Sequence, residues 1–247
     1  MIEPLLQIMK RLRDPETGCE WDKVQTFETI APYTIEEAYE VLDAIERKDM
    51  GSLKDELGDL LLQVLFHSQM ASDDGHFTFE DVVKGICLKM ERRHPHIFGN
   101  ADESPGWEQL KAEERKESGH LSALDGVATA LPAIMRAQKI QKRAARVGFD
   151  WPEKEPVKDK LLEELDEIDA ANNEAEIKEE VGDLLFSAVN LARHNRVDAE
   201  QALKSATNKF ESRFKEMESI AEDKFQDLHI DQLEELWQQA KANLQSS

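Results

Sequence analysis

Cysteine is scarce in this 247-residue chain: Cys19 and Cys87 are its only thiols, too few for a disulfide framework or a cysteine metal cage. Aromatic residues make up 6%, and glycine and proline fill only 11 and 8 positions. Turn signals are therefore sparse, and a strand-rich fold is disfavoured. No apolar run approaches the ~18 residues of a membrane span, and the opening stretch MIEPLLQIMKRLRD lacks the apolar core of a secretory signal. A cytoplasmic protein with no membrane partner is expected. Positive charge is also short, with 31 basic residues against 52 acidic ones and a formal net charge of -21. Such a surface repels nucleic acid and anionic lipid. A phosphorylated ligand would need metal ions or locally placed cations.

What the chain does have is helical periodicity. Turn chemistry is confined to short stretches such as DPETG, SDDG, HPHIFGNADESPG and FDWPEKEP, so the fold is read as all-α, helices joined by short loops. The four tryptophans form two pairs, Trp21 with Trp151 and Trp107 with Trp237, each separated by 130 positions (151 − 21, 237 − 107). The motifs between them recur in order: EEAYE, ELGD, KMERR and WEQLK, then EELDE, EVGD, KFESR and WQQAK. This is a duplicated unit. The halves are placed at residues 1–118 and 130–247, with the Gly/Ala/Ser-rich stretch at 119–129 as linker.

Each half carries E-E-x-x-E, a spacer of 15 or 12 residues, then E-x-G-D leading into an apolar helix. The five-residue motif alone is weak in so acidic a chain, since Glu113, Glu114 and Glu117 spell it by accident with no E-x-x-D downstream. The compound pattern, once per half, is the informative signal. In KDELGDLLLQVLF, Leu53, Leu57, Leu60 and Val64 share one face while Leu61, Leu62, Leu65 and Phe66 spread apolar surface around the cylinder, the pattern of a buried helix. Thr34 and Glu37 also spell a capping box. The second copy has Leu161 in place of Thr34 and still keeps Glu164 and Glu167, so capping does not account for the acids.

Acids three apart project from one helical face, and two such helices side by side would converge four carboxylates. Unpaired, they would repel and pay a desolvation penalty if buried. A bound cation removes that penalty, and oxygen donors without His or Cys suit Mg²⁺ or Mn²⁺. The glycine between the acids, Gly58 or Gly182, costs the helix roughly 1 kcal/mol against alanine; its expected benefit is room for a close neighbour or ligand. Lys89 with Arg93 and Lys209 with Arg213, each at i,i+4, provide paired cations for a polyphosphate beside the metal. Trp107 and Trp237 are suited to stacking on a nucleobase or to filling core, and core is favoured.

These motifs, together with RLRDPETGCEWD, ERRHPHIFG and RAQKIQKRAARVGFDW, resemble the MazG family of all-α nucleoside triphosphate pyrophosphohydrolases along essentially the whole chain. The resemblance implies a homodimer of helical bundles that hydrolyses nucleoside triphosphates to monophosphate and pyrophosphate with Mg²⁺. It implies that Glu164, Glu167, Glu180 and Asp183 bind metal and that the C-terminal half is the main catalytic one. It also implies that Lys160, Glu179, Asp183, Lys209, Arg213 and Trp237 contact nucleotide. A general base is expected at Glu163 or Glu179, and Glu37, Glu40, Glu56 and Asp59 form a second metal set. Two other classes compete. A ferritin-like di-iron protein would use Glu91 with His94, although the second copy has Glu211 and Phe214 and the motif belongs on two helices. A regulatory module would bind nucleotides without turning them over.

Overall fold

The structure, a computed structural model, describes residues 2–99, 106, 110, 114 and 121–245. Every regular element among them is helical, and none is long and apolar enough to cross a membrane. The chain divides into two compact units, Met1–Leu110 and Lys111–Ser247.

In the first unit α1 (Glu3–Leu12) and the single turn α2 (Glu20–Lys23) lead into two long helices, α3 (Phe27–Glu46) and α4 (Met50–Asp73). After these come α5 (Phe79–Arg93) and the short α6 (Pro95–Phe98). Only three residues join α3 to α4, so the two run antiparallel and pack along their lengths. Asp49 sets the start of α4 by accepting from the backbone N–H groups of Gly51 and Ser52, satisfying donors that have no partner within the helix. α1 lies across α4, and Met9, Ile30, Leu65, Phe66 and Met70 form the core at that junction.

Two expectations are corrected here. The capping box at Thr34 and Glu37 does not exist, because α3 already begins at Phe27, where Thr26 and Thr29 make the reciprocal cap. Thr34 sits mid-helix, with its hydroxyl 3.0 Å from His67 Nε2. Pro32 is tolerated because it lies near the start of the helix and forgoes only the bond to the carbonyl of Glu28. Nor is α4 buried on all sides. Its core-facing residues run from Gln63 to Ala71, whereas Leu57, Leu61 and Val64 are 49%, 37% and 38% exposed.

The second unit repeats this order. α7 (Ala133–Arg146) stands where α1 does, α8 (Glu155–Ala170) where α3 does, α9 (Glu174–His194) where α4 does, and α10 (Ala199–Ala221) where α5 does. A 3₁₀ turn, Glu222–Asp227, then leads to α11 (Ile230–Gln245). Again three residues join the paired helices, and Asn173 caps α9 through the N–H groups of Ala175 and Glu176. α8 is the shorter partner, 16 residues against 20 in α3. α7 packs on both α9 and α10 and ties them together with two buried amides. Gln141 donates to the carbonyl of Phe186 at 2.8 Å, and Gln138 donates to that of Val197 at 2.7 Å. Val181 and Leu185, the counterparts of Leu57 and Leu61, are likewise 39% and 57% exposed.

Candidate active site

The α8–α9 hairpin brings its acids together about two turns from the connecting loop. One carboxylate oxygen from each of Glu164, Glu180 and Asp183 lies within 4.8 Å of the others. Glu164 is the buried member, 2% exposed. Its Oε1 accepts from Lys160 Nζ at 2.8 Å, while its Oε2 is buried with no hydrogen-bond partner. A buried carboxylate oxygen left without a donor costs free energy on the order of 1–3 kcal/mol or more, and a hard cation held by these three residues would remove that cost. The donor set therefore fits Mg²⁺ or Mn²⁺. Glu167 lies outside the three-oxygen set and is linked to it through Lys160 at 3.9 Å, and Glu163 accepts from the same ammonium at 2.8 Å. Desolvation, then the charges of Glu167, Glu164, Glu179 and Asp183, push the Glu180 carboxyl above the ordinary carboxylate range. Hydrogen bonds to Glu163 and Glu164 hold the Lys160 ammonium more firmly protonated than usual.

The α3–α4 hairpin gathers Glu37, Glu40 and Glu56 in the same way, with Asp59 close enough to raise the Glu37 carboxyl. Desolvation is the largest cause for both Glu37 and Glu56, followed by the neighbouring acids. Among the described residues no cation forms an ion pair with these four. The membership of the two clusters follows from register. Glu40 precedes Glu56 by 16 positions (56 − 40), and so does Glu164 precede Glu180 (180 − 164). Around a three-residue turn these pairs face each other. Glu167, three residues nearer the turn, drops out of the cluster.

The glycines do not make room for a close neighbour within the chain. A Cβ built on Gly58 or Gly182 would meet nothing within 4 Å. The space beside the acids is open to something other than the chain's own atoms.

Lys209 and Arg213 lie on α10 and Trp237 on α11, where the Arg213 guanidinium carbon sits 5.3 Å from the centre of the Trp237 ring and the centre of the Phe210 ring lies 5.3 Å from it as well. Trp237 is half-buried. Among the described residues neither Lys209 nor Arg213 has a salt bridge, and no hydrogen bond joins this group to the acids of α8 and α9. Sequence reasoning missed Phe210, whose counterpart in KMERR is Met90, so the repeat gave no signal for it. It also missed Gln138 and Gln141, two polar residues three apart on the buried face of α7. In the first unit Lys89 and Arg93 occupy the end of α5, and Trp107 falls outside the described residues. Glu91 and His94 join neither carboxylate cluster; His94 caps α5, its Nδ1 2.8 Å from the carbonyl of Met90. Neither cluster among the described residues contains His or Cys, which removes the geometric basis for the di-iron alternative.

Two helical hairpins, each converging three carboxylates, define a duplicated all-α protein with oxygen-only sites suited to a hard cation. The chain belongs to the MazG family: the model of the MazG nucleotide pyrophosphohydrolase domain matches residues 25–98 and again 153–217, one match on each hairpin. It is 52% identical over 254 residues to the Escherichia coli (strain K12) nucleoside triphosphate pyrophosphohydrolase, with 97% of each chain covered. Its identity to the Thermotoga maritima protein named nucleoside triphosphate pyrophosphohydrolase/pyrophosphatase MazG is 47% over 251 residues, covering 98% of this chain and 96% of that one. The Bacillus subtilis protein YabN is 42% identical over 247 residues, 95% of this chain but 50% of its own length.

Because the Glu180 carboxyl is raised, its ionised form is disfavoured in the fold. It contributes stability while protonated and loses that contribution as the pH rises through its folded value. Glu180→Gln in the presence of a chelator is therefore expected to melt above the wild type at neutral pH. Thermal melts at stepped pH should show the difference closing as the pH falls into the carboxylate range; a difference that persists or grows in acid contradicts this origin.

Proposed function

We propose that the protein is a Mg²⁺-dependent, or Mn²⁺-dependent, nucleoside triphosphate pyrophosphohydrolase of broad base range that releases nucleoside monophosphate and pyrophosphate. It works as a cytoplasmic homodimer in cleaning the nucleotide pool or controlling stress nucleotides. The observation that carries this reading is the buried, unpartnered Oε2 of Glu164 within reach of the Glu180 and Asp183 carboxylates. The names of the full-length relatives support the reaction.

Glu164, Glu180 and Asp183, with Glu167 beside them, hold the metal in the second unit; Glu37, Glu40, Glu56 and Asp59 are the corresponding set in the first. When bound, the ion screens the triphosphate and lowers the pKa of a coordinated water. Of the two candidates for general base, Glu163 is engaged by Lys160 whereas Glu179 has no ion pair among the described residues. Glu179 is the better placed to accept a proton from water. Lys209 and Arg213 bind phosphate. Stacking on Trp237 uses the face of the Arg213 guanidinium and leaves its N–H edges free to donate to phosphate oxygens. The ring of Trp237 offers a base a stacking surface that reads no base edge, in keeping with broad specificity.

The homodimer is supported by the apolar surface that each hairpin leaves uncovered. Leu57, Leu61, Val181 and Leu185 are exposed on helices whose composition suits burial, and a second copy provides a self-complementary cover. Replacing Leu185 with Glu is expected to shift the protein toward monomer in sedimentation experiments; an unchanged sedimentation profile would place the subunit contact elsewhere.

Incubation with nucleoside triphosphates and Mg²⁺ should yield monophosphate and pyrophosphate, identified by chromatography, and excess EDTA should abolish the reaction. Diphosphate and orthophosphate as sole products would overturn the proposed cleavage. Tight nucleotide binding without any product would instead favour the regulatory module.

Burial distinguishes the two units, since Glu164 is enclosed while Glu37, Glu40 and Glu56 are all at least partly exposed. Glu180→Gln is accordingly expected to abolish pyrophosphate release and Glu56→Gln to retain much of it, with circular dichroism confirming the fold. About half the activity remaining in Glu180→Gln would make both units enzymes.

A further inference from the structure

The second unit contains a feature that the first lacks among the described residues, a cation already lodged among the acids. Lys160 Nζ lies 2.8 Å from Glu163 Oε1, 2.8 Å from Glu164 Oε1 and 3.9 Å from Glu167 Oε2. All three partners lie on α8 itself, because i+3, i+4 and i+7 fall on one helical face. In the first unit the position matching Lys160 in the E-E-x-x-E motif is Tyr33, and the position matching it by distance from the turn is Glu36. Neither is a cation.

We propose that Lys160 is a resident counter-ion that ties metal binding to nucleotide binding in the second unit, so that this cluster takes up a divalent ion efficiently only with the triphosphate. The first cluster, with no such cation among the described residues, takes it up without nucleotide. This rests on the metal-binding reading of the acids given above.

Several features point to the coupling. The ammonium does part of a metal's task, since it offsets the mutual repulsion of acids that would otherwise favour the divalent ion. It also opposes a dication electrostatically, because both charges share Glu164, whose burial limits screening. Yet Lys160 is not locked in. Its side chain is 35% exposed, and its four-carbon stem carries a mobile point charge. A polyanionic triphosphate placed beside the cluster offers that charge a second partner. Once the ammonium turns toward phosphate, its opposition to the metal falls. By linkage, nucleotide raises metal affinity and metal raises nucleotide affinity by the same factor.

The test is Mn²⁺ titration of the full-length protein, with free Mn²⁺ read by electron paramagnetic resonance. It is run with and without a non-hydrolysable α,β-methylene triphosphate analogue, whose own chelation is subtracted. In a Glu56→Gln background, which isolates the second cluster, the analogue is expected to tighten Mn²⁺ binding by about tenfold, within the range of ordinary coupling between sites. Lys160→Met should tighten nucleotide-free binding by a similar factor and flatten its dependence on the analogue, and Lys160→Gln serves if the Met variant fails to fold. In a Glu180→Gln background, Tyr33→Lys should weaken Mn²⁺ binding at the first cluster. Unchanged or weaker binding in Lys160→Met and Lys160→Gln overturns the proposal and makes Lys160 a residue that merely positions Glu164. Absence of Mn²⁺ binding at both clusters, even with the analogue, would instead remove the metal reading on which the proposal stands.

Discussion

Repulsion between carboxylates is the constraint from which the rest of the structure follows. Each hairpin brings three acidic oxygens within 4.8 Å of one another, an arrangement that opposes folding unless positive charge is supplied. The fold holds it by brute rigidity. Three-residue turns, side-chain caps at Asp49 and Asn173, and a packed junction with α1 or α7 leave the paired helices little freedom to separate. Desolvation first, and the neighbouring acids after it, raise the carboxyls of Glu37, Glu56 and Glu180. In the second unit Lys160 relieves part of the repulsion, and among the described residues of the first no cation does the same.

The same rigidity explains why the apolar residues of α4 and α9 split into two populations. Leu65, Phe66 and Met70 close the core of the first unit, while Leu57 and Leu61, nearer the acids, remain uncovered. The face that carries the acids is thus bordered by exposed apolar residues. The clustered carboxylates and the exposed apolar residues lie next to each other on the same helices.

Much of this was legible in the sequence, because helix periodicity and a duplicated motif are local signals. The all-α class, the repeat and the converging acids needed only spacing. What was not legible depended on tertiary contacts or on register. Thr34 looks like a cap until Thr26 is seen to start the helix earlier. An all-round apolar helix looks buried whether its cover comes from its own chain or from elsewhere, so α4 was misread. Gly58 and Gly182 announced space but not that the space is open. Phe210 against Trp237 could not be foreseen, since its counterpart in the first copy is Met90. Four equivalent acids per unit were expected, but sequence order does not reveal which of them face one another across a turn.

The shortening of α8 carries a consequence for how duplicated genes diverge. Both copies retain every acid of the signature, and a comparison by substitution alone would rate them as equivalent. Yet the three residues missing between the last acid of the motif and the turn slide one helix against the other by nearly a turn. The set of acids that meets the opposite helix changes with it: the second and third glutamates of the motif both join the cluster in the first copy, and only the second does in the other. A small deletion outside the motif can retune a site while leaving its letters intact, and two paralogous units can part ways in chemistry before a single ligand is replaced.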